Sequence, residues 1–170
     1  YGTAPTVLAG SSTSGLPLTY TVTSGGGTCS VSTDGMLTVL SVGTCVVTAA
    51  QPGDATYSAA ATVSRTVSVV PARATQPFIA SVSAGDSSIS VGYTAPYNNG
   101  GSTVVAYTLS ASSPSAPTAS RSDCSATTYS CTLAGLVNGA SYTITVSAIT
   151  AAGTGEASES VDVLVPNPTI

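Results

Sequence analysis

The chemically able side chains of this 170-residue chain are four Cys, seven carboxylates, three Arg and eight Tyr, with no Lys and no His. A nucleophilic Ser or Cys needs a base within hydrogen-bond reach and a third group to orient that base, and neither His nor Lys is present to serve. Triad chemistry is excluded. The same lack of Lys removes any Lys–Asn isopeptide cross-link. Glycoside hydrolysis asks for two carboxylates flanking a sugar, to be drawn here from Asp34, Asp54, Asp86, Asp123, Glu156, Glu159 and Asp162. Glu156, Glu159 and Asp162 gather near the end of the chain, yet most of the acids stand beside Gly, Ser or Asp in turn-like contexts and read as a solvated face. Asp54, after Pro52-Gly53, is the one candidate for Ca²⁺, but no Asp-x-Asp spacing supports it. No catalytic residue, cofactor or metal is therefore expected, and the chain reads as no enzyme.

Cys29 and Cys45 stand sixteen positions apart, Cys124 and Cys131 seven. Three pairings are formally open; pairing within each local couple is favoured because each falls inside one expected domain, and it would stabilise by about 3 and 2.5 kcal/mol before strain. Zinc ligands or free buried thiols are the alternatives, though neither spacing is Cys-x2-Cys and no His is at hand. Disulfides imply an oxidising, extracytoplasmic compartment. Among aromatics, Trp is absent and Phe78 is single. Tyr20, Tyr93, Tyr107 and Tyr142 fall on strand positions that read as core. Tyr97, beside Asn98 and Asn99, and Tyr129 are the candidates for glycan contact, against a competing reading of core or turn packing.

The bulk composition sets these residues in context. Only 6% of residues are charged, the net charge is −4, and Arg65, Arg73 and Arg121 lie far apart. With no basic patch, neither nucleic acid nor an anionic membrane surface is an expected partner. A hydrophobic content of 42% and a mean hydropathy of +0.38 are those of a chain that folds. No apolar run approaches the roughly 20 residues of a membrane-spanning helix, so no insertion is expected. With no initiating Met or leader pattern, Tyr1 reads as the start of a fragment or a processed chain.

What must position the candidates is a set of strands. Apolar and polar residues alternate at period two in Leu18-Tyr20-Val22, Leu37-Val39, Val63-Arg65-Val67-Val69, Ile89-Val91-Tyr93 and Tyr142-Ile144-Val146-Ala148, which reads as half-buried β-structure. Gly, Asn and Asp clusters punctuate them at 24–27, 34–35, 52–54, 98–101 and 138–139. No stretch sustains helical periodicity. The expected fold class is all-β, as two tandem β-sandwich domains. Alternation stops over Val70 to Pro77, where two Pro bracket a connector. This gives a first domain over 1–71, a linker over 72–77, a second domain over 78–166 and a tail or further connector over 167–170.

Two resemblances follow from particular residues. The second domain resembles a bacterial fibronectin type III module in Ile89-Ser90-Val91-Gly92-Tyr93-Thr94-Ala95-Pro96, Asn99-Gly100-Gly101-Ser102, Tyr107, the run Leu133–Tyr142 and the run Val146–Gly155. The resemblance implies a corner tyrosine at Tyr142 and a strand-linking pair in Cys124 and Cys131; Tyr93 stands where the family usually has Trp. The first domain resembles a bacterial immunoglobulin-like surface repeat in Tyr1–Pro5, Ser14–Tyr20, Cys29–Val31, Gly43–Ala49 and Gln51–Tyr57. That family normally carries one more apolar strand before its Tyr-Gly motif, so the domain is expected to lack its first strand.

These resemblances imply a non-catalytic, extracellular or cell-surface structural or spacer module of a bacterial surface protein or filament. Its expected partners are neighbouring β-sandwich domains or subunits of the same kind, a homopolymer among them. Natural sheets guard open edges with Lys, inward charges, Pro or bulges, and this chain has almost no charge to spend there. A fibre subunit completed by strand addition is therefore an alternative. A glycan-binding adhesin module and an accessory domain of a secreted enzyme are the others.

Overall fold

The computed structural model describes residues 4–168, and the chain divides after Pro71 into two compact units. The Tyr1-Gly2-Thr3 motif and the last two residues of the expected tail lie outside the described residues. The described chain holds fourteen β-strands and no helix, which is the all-β class that the alternation predicts.

The first unit comprises β1 (Thr6–Val7), β2 (Thr19–Ser24), β3 (Cys29–Val31), β4 (Met36–Val39), β5 (Gly43–Ala50) and β6 (Val63–Val69). They form two three-stranded antiparallel sheets, β1-β4-β3 and β2-β5-β6. The β3–β4 hairpin turns at Asp34-Gly35, where Gly35 takes φ +78 and donates its N–H to the Ser32 carbonyl; glycine enters this region without the penalty a Cβ brings. The interior is small. Among the described apolar side chains of this unit only Cys29, Cys45 and Val47 are buried, with Leu8, Tyr20, Val22, Leu37 and Val67 packed around them, and Thr28 and Gln51 are the buried polar residues. The Cys29–Cys45 disulfide joins β3 of one sheet to β5 of the other.

The second unit comprises β7 (Phe78–Gly85), β8 (Ser88–Thr94), β9 (Ala106–Ser112), β10 (Ala119–Cys124), β11 (Ser130–Ala134), β12 (Ser141–Thr150), β13 (Gly153–Ala157) and β14 (Val161–Leu164). One layer is β11-β8-β7 and the other β10-β9-β12-β13, with β14 also pairing β12. Period-two alternation builds the core directly: Ile89, Val91 and Tyr93 on β8, Tyr107, Leu109 and Ala111 on β9, and Tyr142, Ile144, Val146 and Ala148 on β12 are all buried. Burying each large apolar side chain contributes about 1.5–3 kcal/mol, so this unit rests on packing as the first does not. The Cys124–Cys131 disulfide again crosses between layers, from β10 to β11.

Two segments differ from their sequence reading. Val63 and Arg65 alternate like half-buried residues, yet Val63 is 53% exposed and Arg65 is exposed as well, because no second layer among the described residues covers that part of β6. Residues 72–77, read as a short linker, are hydrogen-bonded into the second unit. Ala74 is buried in the second core, its carbonyl accepts the Glu156 N–H, and the Ala72 and Thr75 N–H groups donate to the Gly100 and Asn98 carbonyls. The segment belongs to the second unit by its hydrogen bonds.

Candidate functional site

The glycan candidates lie on two differently built features. Tyr97 sits in the loop between β8 and β9 and is fully exposed. The loop beneath it is fixed. The Asn98 carbonyl accepts the Thr75 N–H at 2.9 Å and the Thr75 hydroxyl at 3.2 Å, Asn98 Oδ1 accepts the Gly100 N–H at 2.8 Å, and Asn99 Oδ1 accepts the Gly101 N–H at 3.0 Å. Both Asn oxygens are thus turned onto their own loop, while the Tyr97 ring projects outward. Tyr129 is 38% exposed and adopts φ +50, a costly region for a side chain of this size. Its carbonyl accepts the Tyr93 N–H, and its ring sets an edge against Tyr93 at 6.3 Å and Tyr107 at 6.2 Å. Such edge-on geometry is what ring quadrupoles favour. Tyr129 is a packing residue of a three-ring cluster of which Tyr97 is no part.

That cluster shifts the titration of its own Tyr107 and Tyr93 hydroxyls. Burial pushes the Tyr107 hydroxyl up to about 12, with smaller contributions from Tyr129 and Tyr93, and burial raises Tyr93 as well. The Tyr93 hydroxyl donates to the Ser125 carbonyl at 2.8 Å. Tyr142 is buried, and its oxygen accepts the Val137 N–H at 3.1 Å, five residues upstream.

The carboxylates do not converge. Asp54 Oδ1 accepts the N–H groups of Thr56 and Tyr57, both at 2.8 Å, which caps its own turn. Asp86 takes the Asn138 amide at 2.7 Å, Asp162 takes the Thr143 hydroxyl at 2.6 Å, and Glu156 and Glu159 are exposed. Asp123 pairs with Arg121, whose hydrogen bond holds its carboxyl below the ordinary value; both side chains stand in solvent, where such a pair contributes little. Among the described residues no group of three or more Cys, Asp or Glu is placed to hold a metal ion.

One feature escaped the sequence reading altogether. A cleft of about 760 Å³ opens on the first unit, floored by Tyr20, Val47, Val63 and Val67 and walled by the stretch from Leu8 to Ser14. Arg65 is the only charged residue in its lining. The alternation of β6 was legible; that its inner face lies open was not, because cover comes from residues distant in sequence.

A fibronectin type III domain model matches residues 74–163. The chain belongs to the fibronectin type III family. Domains of this family generally act as extracellular structural or spacer modules and are typically non-catalytic. The two disulfides fit that setting, and no helix among the described residues is long and apolar enough to cross a membrane. A search of curated proteins finds no match. Among solved structures, the chain is similar to the FN1–FN3 domains of chicken CNTN1 at 21% identity and a TM-score of 0.50, over 73% of this chain and 42% of that one. It is also similar to the FN5 domain of Drosophila Lar at 22% identity and a TM-score of 0.46, over 58% of this chain and all of that one. The fourth FNIII domain of a human protein gives 25% identity and a TM-score of 0.47, over 61% of this chain and 90% of that one.

Proposed function

We propose that this chain is a non-catalytic spacer of a bacterial cell-surface protein or filament, with its first unit an immunoglobulin-like repeat and neighbouring sandwich domains as its partners. One observation carries the reading: each unit is a pair of sheets joined layer to layer by a disulfide. A spacer must keep its length under load, and a covalent tie between layers limits how far each unit can be drawn out. Pulling single molecules by their ends tests this. The expected result is that reduction lengthens the unfolded chain by about 50 Å for the sixteen-residue loop and about 20 Å for the seven-residue loop, from roughly 3.4 Å per extended residue. No gain on reduction would overturn it. Antibody labelling of intact cells tests the surface setting; label gained only after lysis would remove that part.

A second reading, a glycan-binding adhesin module, has Tyr97 in its favour: a fully exposed ring on a loop held by hydrogen bonds at Thr75, Gly100 and Gly101. Binding on a glycan array that disappears in Tyr97→Ala would support it. An array with no binder would leave the spacer alone.

A further inference from the structure

Two of the four Asn residues of this chain are followed by Gly, at Asn99-Gly100 and Asn138-Gly139. Such a step invites a reaction of the chain with itself. The backbone nitrogen of the next residue can attack the Asn side-chain carbonyl carbon, and Gly puts no Cβ in the way. Asn98 precedes Asn99, whose side chain crowds the approach, and Asn167 precedes Pro168, which has no N–H to give up. Sequence alone ranks Asn99 and Asn138 together. The fold separates them.

Asn138 is held at each group the reaction must move. Its Oδ1 accepts the Ser87 N–H at 2.8 Å and its Nδ2 donates to Asp86 Oδ1 at 2.7 Å, so both ends of the amide are fixed on the turn between β7 and β8. The attacking group would be the Gly139 nitrogen, and its N–H donates to the Val165 carbonyl at 2.8 Å. Val165 is fully buried and returns its own N–H to the Ala140 carbonyl, so freeing Gly139 opens one end of the second unit.

Asn99 is armed instead. It is exposed, and among the described residues its one side-chain bond is that accepted by Oδ1 from the Gly101 N–H at 3.0 Å. That bond favours the reaction. Negative charge gathers on Oδ1 as the carbon is attacked, and a backbone N–H already aimed at that oxygen stabilises it. The Gly100 N–H donates to Asn98 Oδ1 at 2.8 Å, a bond within the loop to a side chain that can turn away without disturbing the core. Local openings of this kind cost far less than opening a buried element.

We propose that Asn99 is a self-modification site, a deamidating asparagine, and that the bonds of Asn138 to Asp86 and Ser87 and of Gly139 to Val165 hold the second Asn-Gly step back. The Gly100 nitrogen gives its proton to solvent and bonds to Asn99 Cγ. The Cγ–Nδ2 bond then breaks, and Nδ2 leaves as ammonia, taking up a proton in exchange. One water molecule opens the resulting cyclic imide at either carbonyl, leaving an aspartyl or isoaspartyl residue at position 99. In sum, an amide and a water become a carboxylate and an ammonium, and the chain gains a negative charge. The isoaspartyl product also lengthens the backbone by a methylene just before Gly100, whose carbonyl accepts the Ala72 N–H. The reaction needs nothing from the spacer reading.

Mass spectrometry of the full chain, sampled over weeks in neutral buffer, is the test. Cleavage after Arg73 and Arg121 puts Asn99 and Asn138 on separate peptides, and the exchange of –NH2 for –OH marks each one. In the folded chain Asn99 is expected to convert at least about tenfold faster than Asn138. In the chain unfolded by urea with its disulfides reduced, the two should convert at a similar pace. Asp86→Ala, on an exposed turn, should quicken Asn138 in the folded chain and leave Asn99 unchanged. Equal rates in the folded chain overturn the proposal, as does an Asn99 that stays intact while the unfolded chain converts. An Asn138 unmoved by Asp86→Ala overturns the hold assigned to that pair.

Discussion

At Tyr142 the resemblance and the structure meet in one hydroxyl. Its ring fills the second core while its oxygen accepts the Val137 N–H. Tyr142→Phe keeps the ring and leaves that donor short of a partner, at a cost of about 1 kcal/mol. Thermal melts should place the variant about 4–8 °C below wild type. The three-ring cluster sets the pH response. No side chain has an ordinary pKa between pH 5 and 8, so the melting temperature should hold level across that window. At higher pH the sign follows from Tyr107. Its hydroxyl keeps its proton in the fold up to about 12 but loses it near 10 when unfolded, so the stability it contributes is complete below pH 10. That contribution then falls, by up to about 1.4 kcal/mol per pH unit for one such group, as pH climbs from 10 to 12. Melting temperatures recorded from pH 5 to 11.5 check both limbs. Asp123 works in the other direction: its small contribution is lost as pH drops below the ordinary carboxylate range.

Among elements, β8 and β12 could be read from the chain because each alternates over its whole length and the opposite layer does cover the apolar face. Ile89, Val91 and Tyr93, and Tyr142 through Ala148, alternate without interruption and are buried as the pattern predicts. The pattern of β6 is just as regular, and there it misleads, since burial of Val63 depends on a layer that the described chain does not supply. Residues 72–77 fail for a related reason. Two Pro signal punctuation, but nothing local announces that Ala72 and Ala74 bond to Gly100 and Glu156. Of the candidate site, the full exposure of Tyr97 went against the favoured reading of turn packing, although its Asn neighbours left room for it. The role of Tyr129 was not legible, because φ +50 at a tyrosine leaves no mark in sequence. Gly100 gives a direct check on the tethered segment. It holds φ +69, and a Cβ there would run into the Ala72 carbonyl. Gly100→Ala should therefore cost about 2 kcal/mol or more, seen as a lower denaturant midpoint for the second unit alone.

On the scale of the whole molecule, the two units divide the labour of stability unequally. The second has a continuous core of aromatic and branched side chains; the buried apolar part of the first is one disulfide and Val47, with partly buried neighbours. Calorimetry should resolve two transitions, and reduction should move the lower one most. Losing Cys29–Cys45 costs about 3 kcal/mol, a large share for a unit with so few buried residues, while losing Cys124–Cys131 costs about 2.5 kcal/mol from a richer core. A single transition, or equal shifts after reduction, would contradict this division. One strand carries a different message. β12 is bonded along one flank by β9 and along the other first by β14, over Ser141 to Ile144, and then by β13, over Ser147 to Thr150. It has almost no flank open to solvent, so its amide hydrogens are released only when the whole second unit opens. In heavy water they should be the last in the molecule to become deuterated, and their clock is the lifetime of the folded domain itself.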